Sequence, residues 1–361
     1  MRKGERLGLI IGLTVVGLGV GGAVVWQISG DKGALPPRAS AAALSELGVF
    51  EQPGVWKQIG RYEYPENNRT MHFTATDHSY WTLGGRALMQ ETEYVVDDGE
   101  DHELTIKGWN TTSKKHTYTL ITDTGTVLTY DGKWAGVDRT MHWEITHPNT
   151  NSLRANINFR EIIPRPNRKR LLTEFRTFSK VFKDVVVDCN REGDYAGPDE
   201  TDYGKPIHEE LEKLGKLGEA GIWGERQFFK IGDDSETEMR IKGRARWAAG
   251  GHFLVYEGVV TEGDDVGAPL LWIKTYDSLV KVYRYAYFSA SGAVDHYVGR
   301  WDPKKNKMVW RCQHLNSSPS EMSSVIEETF AQPGYKTWTF KVREFGKIVV
   351  EGRGDSRRVD L

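Results

Sequence analysis

The chain contains two copies of one spaced pattern of tryptophan, glycine and other residues. Trp56 near the start of the first copy matches Trp223 in the second, a shift of 167 positions. The same shift, within one position, relates Trp81, Gly84, Gly85, Leu88, Trp109, Gly125, Tyr130, Gly132, Trp134, Met141 and Trp143 to Trp247, Gly250, Gly251, Leu254, Tyr276, Gly292, Tyr297, Gly299, Trp301, Met308 and Trp310. This period is too long for a solenoid repeat. In a chain of 361 residues, it predicts a duplicated domain.

Residues 1–29 differ in composition from the rest of the chain. Leu7 to Ile28 carries no charge, and at ~1.5 Å per residue such a helix crosses a ~30 Å hydrocarbon layer. Basic residues precede this run, which predicts a cytoplasmic amino terminus and an extracytoplasmic remainder, periplasmic or at the cell surface. A cleaved signal peptide is the alternative, with Ala39-Ser40-Ala41 as its site, but the apolar run exceeds the usual ~7–15 residues. We therefore expect a single-pass membrane anchor.

Charge and small residues bear on the partners of the chain. The formal net charge of −2 gives no basis for nucleic-acid binding. Within the apolar run, Gly8 with Gly12 and Gly17 with Gly21 have the small-xxx-small spacing that lets membrane helices approach closely. A homodimer through this segment is one interpretation. The general abundance of glycine in membrane helices is the other.

After an initial Gly-x-Trp, both copies show the period-two alternation of β-strands. Met239, Ile241, Ala245 and Trp247 alternate with charged residues, which is typical of a strand with one buried face. Further strands are predicted at Phe253–Val260, Leu270–Tyr276, Lys281–Phe288, Val294–Trp301, Met308–His314, Val325–Phe330 and Tyr335–Arg343. The first copy has Met71–Trp81, Ala87–Val96, Leu104–Trp109, His116–Thr122, Val127–Trp134, Met141–Thr146, Ser152–Ile163 and Leu171–Val181. About eight meandering strands per copy favour closure into a barrel, which removes the sheet edges.

The predicted organisation is all-β, with two tandem antiparallel barrels that each follow a short helix. These helices are expected at Ala42–Gly48 and Ile207–Gly218. The expected boundaries are an anchor at 1–29, a tether at 30–41, barrels at 42–188 and 207–354, a linker at 189–206 and a tail at 355–361. A barrel of about eight strands is either filled by its own side chains or holds one small ligand.

The motif Trp-x-x-Gly-Gly-x-x-Leu at 81–88, with its partner at 247–254, resembles an uncharacterised bacterial family of lipocalin-like barrels. The stretch from Thr275-Tyr276-Asp277 to Gly299-Arg300-Trp301-Asp302 resembles the same family, and Gly-x-Trp resembles the first-strand motif of lipocalins and the wider calycin group. The resemblance implies a closed barrel, with a hydrophobic ligand in its cup by analogy. It also implies that Trp56 and Trp223 close the barrel base beneath an arginine from a late strand. The first copy departs from the pattern at Trp109-Asn110, so the ligand is expected in the second barrel.

Tyrosines supply the candidate ligand site. Tyr283, Tyr285 and Tyr287 share one face of a predicted strand. If they point inward, their polar tips orient a carboxylate or a flat aromatic ligand; if outward, they form a surface ladder. The other candidates for the lining are Tyr256, Tyr276, Met308 and Trp310.

Metal sites and disulfides have weak support in the sequence. No histidine recurs at the equivalent position of the other copy, and no His-x-His, Cys-x-x-Cys or His-Glu-x-x-His spacing exists, so we expect neither metal nor cofactor. Cys189 and Cys312 occupy different places in the repeats, which favours two separate thiols over a disulfide. The Gly84-Gly85 and Gly250-Gly251 pairs predict hairpin turns with positive φ.

Three functional hypotheses follow. The first is a membrane-anchored protein that binds a small hydrophobic or amphipathic molecule in a barrel. The second is a non-catalytic envelope scaffold with side-chain-filled barrels. The third is a barrel enzyme, an isomerase or hydrolase, although no nucleophile elbow, triad or repeated carboxylate pair supports Glu91, Glu93 or Glu257 as acid or base. The residues that recur in both copies are mainly the tryptophans and glycines of the barrel framework. We therefore expect that no cluster of reactive side chains recurs, and that a ligand site lies among residues that the two copies do not share.

Overall fold

The computed structural model describes residues 52–96, 99–148, 155–177, 180–199, 201–312 and 321–359. The predicted anchor at 1–29, the tether at 30–41 and the helix Ala42–Gly48 lie outside these residues. Within the described part of the chain, no helix has the length and apolarity needed to cross a membrane.

The described residues divide into two compact units, one ending at Asp199 and one beginning after it. Each unit is a closed antiparallel barrel of ten strands, so the expected number of about eight was too low. In each barrel, every strand pairs with its neighbours in sequence, and the first strand pairs with the last. The fold is therefore all-β with two tandem barrels, as the repeat predicted.

The first barrel consists of β1 (Gly54–Tyr64), β2 (Arg69–Thr82), β3 (Ala87–Val96), β4 (Gly99–Asn110), β5 (Lys115–Thr122), β6 (Val127–Ala135), β7 (Thr140–Pro148), β8 (Ala155–Arg165), β9 (Arg168–Thr177) and β10 (Lys180–Gly193). The last strand extends five residues into the range expected to be linker. Two apolar clusters fill the interior, one around Trp56 and Phe73 and one around Trp143 and Phe159.

The second unit begins with helix α1 (Glu209–Lys216), within the predicted range, whose Leu211 and Leu214 are buried in the barrel core. The barrel consists of β11 (Gly221–Ile231), β12 (Thr237–Ala248), β13 (Phe253–Glu262), β14 (Pro269–Asp277), β15 (Val282–Phe288), β16 (Val294–Asp302), β17 (Lys307–Cys312), β18 (Met322–Gln332), β19 (Tyr335–Glu344) and β20 (Lys347–Arg358). The final strand includes residues expected to form the tail.

Three of the missed strands, β1, β11 and β20, lack a continuous apolar alternation, whereas β10 has one at Val185, Val187 and Cys189. The predicted strand Leu171–Val181 merges the end of β9 with the start of β10. Strand β20 carries Gly352 and Gly354 where a buried apolar residue would give the signal. An added Cβ at these glycines would overlap the rings of Phe229 and Trp338, respectively, so each glycine makes room for an aromatic ring from a neighbouring strand.

The paired-glycine turns join β2 to β3 and β12 to β13. Gly84 and Gly85 have φ of 60° and 81°, and Gly250 and Gly251 have φ of 66° and 95°, so both predicted positive-φ pairs are confirmed. Each turn contains one further left-handed residue, Leu83 or Ala249. Within the described residues, neither Cys189 nor Cys312 is part of a disulfide, as expected.

Candidate functional site

A cluster of charged side chains lies inside the second barrel. We define the second-barrel polar cluster as Glu219, Lys274, Trp310, Glu328 and Lys336. The four strand residues come from β14, β17, β18 and β19, and Glu219 precedes β11. All five are nearly inaccessible to solvent. Their burial demands mutual pairing, because an isolated charge in a barrel interior is strongly destabilising.

The pairing in this cluster is extensive. Nζ of Lys274 lies 3.1 and 2.9 Å from the two carboxylate oxygens of Glu328, and Nζ of Lys336 lies 2.9 Å from Oε1 of the same residue. Both lysines also lie 3.4 Å from the Glu219 carboxylate. The indole Nε1 of Trp310 donates to Oε2 of Glu328 at 2.6 Å. Two ammonium groups and two carboxylates thus form a neutral unit.

The electrostatics favour the ionised forms of Glu328 and Lys336. Burial acts to raise the pKa of Glu328, but Lys274 and Lys336 outweigh it and hold the pKa well below its usual range. Burial acts to lower the pKa of Lys336, and the carboxylates of Glu219 and Glu328 outweigh it, so that pKa is raised. Nearby aromatic rings also stabilise the two ammonium charges. Lys274 Nζ lies 4.7 Å from the centroid of the Trp272 ring, and Lys336 Nζ lies 5.3 Å from the centroid of the Trp223 ring.

The first barrel repeats most of this cluster, 167 positions earlier. Lys107 donates to Oε1 of Glu161 at 2.6 Å, and Trp143 donates to Oε2 of that carboxylate at 2.9 Å. Lys169 is the counterpart of Lys336 and is also buried. The expectation that no reactive cluster recurs was therefore wrong. A glutamine, Gln52, replaces Glu219.

A lysine lies over the ring of each base tryptophan, and the last strand places an arginine beside each of them, since Trp56 pairs with Arg191 and Trp223 pairs with Arg358. Lys169 on β9 has its Nζ 5.0 Å from the Trp56 centroid, in the same relation as Lys336 to Trp223. The indole nitrogens of Trp56 and Trp223 donate to the backbone oxygens of Gln52 and Glu219, at 3.2 and 2.8 Å. Both tryptophans belong to the barrel framework.

A cavity of ≈ 80 Å³ adjoins the second-barrel polar cluster. Its lining residues follow i, i+2 spacing along their strands, so they belong to one sheet face, the interior. They are Glu225, Gln227, Phe229, Ile241, Leu270, Trp272, Lys274, Tyr285, Tyr287, Trp310, Ile326, Glu328, Lys336 and Trp338. The cavity thus combines apolar and aromatic walls with a charged floor, which is formed by Lys274, Glu328 and Lys336.

Three of the seven predicted ligand residues line this cavity: Tyr285, Tyr287 and Trp310. Tyr283 points to the helix instead, where its hydroxyl donates to Oε2 of Glu210 at 2.9 Å. Tyr276 packs edge-on against Tyr283, with ring centroids 5.2 Å apart. The predicted site is therefore split between the cavity and the contact with α1.

The other two predicted residues support the walls. Tyr256 stacks on Trp272 at 4.9 Å between ring centroids, with an interplanar angle of 6°. Met308 is fully buried in the core cluster and does not line the cavity. None of the candidate acids Glu91, Glu93 and Glu257 lines it either.

The charged floor and Glu225 were not predicted from the sequence. The signal for the floor was present, since Lys274, Glu328 and Lys336 repeat Lys107, Glu161 and Lys169 at a constant shift of 167. The expectation that the site lies in unshared residues was thus wrong for the floor. Tyr285 is also shared, with Tyr118 as its counterpart, whereas Tyr287 corresponds to Leu120.

The two tyrosine hydroxyls are available to a ligand. Within the part of the chain that the structure describes, neither Tyr285 nor Tyr287 hydrogen-bonds through its hydroxyl to another residue. Burial raises the pKa of both phenols, so both remain protonated donors. Polar groups on a cavity wall without protein partners are the usual means of orienting a small ligand.

The first barrel is filled where the second is hollow. Phe159 corresponds to Ile326, since each pairs across strands with the repeated tryptophan, Trp143 or Trp310. The Phe159 ring stacks on Trp143, with centroids 5.8 Å apart, and lies 4.9 Å from the ring of Tyr118. The larger side chain occupies the space that remains open beside Ile326.

A depression of ≈ 380 Å³ lies on β7 to β10 of the first barrel. Its lining includes the consecutive residues 142–144, 158–160, 172–174 and 184–186. Consecutive strand residues point to opposite faces of a sheet. The depression is therefore lined by residues from both faces of the sheet and is not a cavity confined to the barrel interior.

Comparisons with known proteins assign no family to the chain. No protein-family model matches the chain, and no curated protein matches it. A DUF3598-family protein of unknown function from Nostoc punctiforme aligns with 9% identity and a TM-score of 0.25, covering 85% of this chain and 96% of that chain. Transferrin binding protein B from Haemophilus parasuis aligns with 7% identity and a TM-score of 0.21, covering 85% and 76%. Values this low carry no argument about activity or ligand.

Proposed function

We propose that the second barrel binds one small amphipathic molecule. The observation that carries this proposal is the interior cavity, with apolar residues on one side, a charged floor on the other, and two unpartnered tyrosine hydroxyls between them. A purely structural barrel would gain stability by filling this space, as Phe159 does in the first barrel.

The size of the cavity restricts the ligand. Drug-sized ligands occupy pockets of roughly 300–1,000 Å³. The cavity here, at ≈ 80 Å³, accommodates a molecule of only a few non-hydrogen atoms. Long-chain fatty acids and retinoid-like compounds, the ligands that the analogy to lipocalins would favour, exceed this volume.

Native mass spectrometry of the protein purified without added ligand tests the proposal. We expect a bound mass on the wild-type protein and its loss in Ile326→Phe, which introduces the first-barrel residue into the cavity. The neighbours of Phe159 include Trp143 and Tyr118, whose counterparts Trp310 and Tyr285 surround Ile326, so the substitution should preserve the fold. Retention of the bound mass by Ile326→Phe would contradict the proposal.

Tyr285→Phe with Tyr287→Phe is the second test, with Tyr118→Phe as the matched control in the first barrel. Removing the two hydroxyls keeps the aromatic walls and deletes the orienting donors. We expect weaker binding in the double variant and unchanged binding in the control. Equal effects of the three substitutions would place the ligand elsewhere.

The second candidate function is an envelope scaffold, favoured by the first barrel. Tyr118, Tyr130, Trp143 and Phe159 pack together there as one aromatic cluster. A scaffold predicts that neither barrel carries a bound mass and that Ile326→Phe stabilises the protein. Native mass spectrometry and thermal unfolding of the same variant distinguish the two functions.

We further propose that residues 1–29 anchor the chain, with both barrels on the extracytoplasmic side. The support is the charge-free run Leu7 to Ile28 behind three basic residues. Membrane fractionation of the full chain, compared with a chain that starts at residue 30, tests anchoring. Cross-linking of the full chain after Gly12→Leu and Gly21→Leu tests a homodimer through this segment.

A further inference from the structure

We infer that the molecule bound in the second barrel is a small organic cation, a short alkylammonium, with Glu225 as its counter-ion. This inference rests on the proposed function and names its ligand class. It contrasts with the carboxylate or flat aromatic ligand that the tyrosines alone suggested.

The first argument is the charge balance around the cavity. Lys274 and Lys336 are matched by Glu219 and Glu328 through direct ion pairs. Glu225 also lines the cavity, and among the described residues no ion pair reaches it. Among the residues of the second-barrel polar cluster and the cavity lining, the carboxylates therefore outnumber the ammonium groups by one.

The second argument is the local surroundings of Glu225. Gln227 and Ser356 donate to Oε2 at 3.1 and 3.2 Å. These neutral bonds hold the carboxylate in place, and Oε1 receives neither of them. The buried Tyr256 hydroxyl also lies beside this carboxylate, whose charge acts with burial to raise the pKa of that phenol. A half-buried carboxylate that is oriented but not neutralised is suited to a ligand that carries a positive charge.

The third argument is the aromatic walls. Phe229 and Trp338 line the cavity with ring centroids 5.7 Å apart, and Trp338 extends over Gly354, which lies beside Gln227 on β11. Tyr285 and Tyr287 face the same space. Aromatic faces near a carboxylate attract alkylammonium groups through the ring quadrupole and through contact with their methyl groups. An anionic ligand would be repelled by Glu225, whereas the two lysines of the lining, Lys274 and Lys336, are already paired with Glu219 and Glu328.

The first barrel provides the matched comparison. Gln58 occupies the position of Glu225, and its amide donates to Asp77 at 2.6 Å. Glu225→Gln therefore introduces the residue that the same place in the first barrel carries. It removes the charge while nearly preserving the shape of the side chain. Glu236→Gln, at an exposed residue that pairs with Arg353, controls for a change in overall charge.

Isothermal titration calorimetry of the full chain with three probes of similar size tests the inference. The probes are trimethylammonium chloride, the neutral tert-butanol and sodium isobutyrate. We expect trimethylammonium to bind the wild-type protein most tightly and to lose about tenfold or more in affinity in Glu225→Gln, as loss of a charged partner implies. Binding should be unchanged in Glu236→Gln and absent in Ile326→Phe.

Each contrary outcome has a separate meaning. Equal or tighter binding of tert-butanol or isobutyrate, or unchanged trimethylammonium binding by Glu225→Gln, overturns the cation while leaving a binding barrel. If no probe binds but native mass spectrometry shows a bound mass that Ile326→Phe removes, the inference fails and the proposed function stands. If that bound mass is also absent, both fail.

Discussion

The indole Nε1 of Trp310 donates a 2.6 Å hydrogen bond to Oε2 of Glu328 inside the second barrel. Trp143 and Glu161 repeat this bond at 2.9 Å in the first. In both cases, the tryptophan ring lies over a glycine on the neighbouring strand, Gly299 or Gly132. The repeated glycine and tryptophan positions therefore place a donor beside the repeated glutamate.

Trp310→Phe should destabilise the second barrel because it leaves Glu328 without its neutral donor. Loss of a hydrogen bond to a buried charged group costs about 1.5–3 kcal/mol in free energy of unfolding. Urea unfolding measures the change. Trp338→Phe is the control, since the Trp338 indole makes no hydrogen bond within the described residues. Equal losses would show that ring volume, and not the bond, accounts for the effect.

Glu328→Gln should be the more damaging substitution, because Lys274 and Lys336 would then share only the Glu219 carboxylate. Breaking a buried ion pair from one side costs about 3–5 kcal/mol. The pKa of Glu328 is depressed in the folded protein, so its contribution is present above the ordinary glutamate pKa of 4.5 and is lost as the pH falls. We expect Glu328→Gln to reduce this acid-dependent loss in urea titrations from pH 7 to pH 3. An undiminished loss would contradict the assignment.

The fold was largely accessible from the sequence, whereas the charged floor was not recognised. Tryptophan and glycine recur visibly, and period-two alternation located most strands. Lys169 lies between Arg168 and Arg170, and a single buried lysine between arginines has no distinguishing local pattern. Only its constant shift from Lys336, combined with the same shift from Glu161 to Glu328, indicates a shared interior role.

The cavity could not be predicted because it depends on differences in volume across strands. Gly243 corresponds to Asp77, and an added Cβ at Gly243 would overlap the ring of Tyr256. Tyr256 can therefore stack on Trp272, an arrangement that the first barrel lacks because Gln90 replaces the tyrosine. The cavity depends on several such differences between the barrels at once, and a single sequence does not show which of these residues face one another.

Gly299→Ala tests the close approach of Trp310 to β16. An added Cβ would overlap the indole ring and force it away from Glu328, at an expected cost of about 1–3 kcal/mol. Gly224→Ala is the matched control in the same barrel, because its Cβ would meet only Val359 Cγ1, at an ordinary 3.5 Å. Urea unfolding should show a much larger loss for Gly299→Ala. Similar losses would indicate a general cost of removing strand glycines.

Glu103 should make the first barrel less stable as the pH rises from 4.5 to about 7. Burial raises the pKa of this carboxyl from an ordinary 4.5 to about 7, although the Tyr94 hydroxyl donates to it at 2.8 Å and opposes the shift. Between these two values, the folded state binds more protons than the unfolded state, so the free energy of unfolding falls with increasing pH, by about 1–3 kcal/mol. Urea titrations from pH 5 to pH 8 should show this fall in the wild-type protein and in the exposed control Glu93→Gln, but not in Glu103→Gln. A fall of the same size in Glu103→Gln would assign the pH dependence to another group.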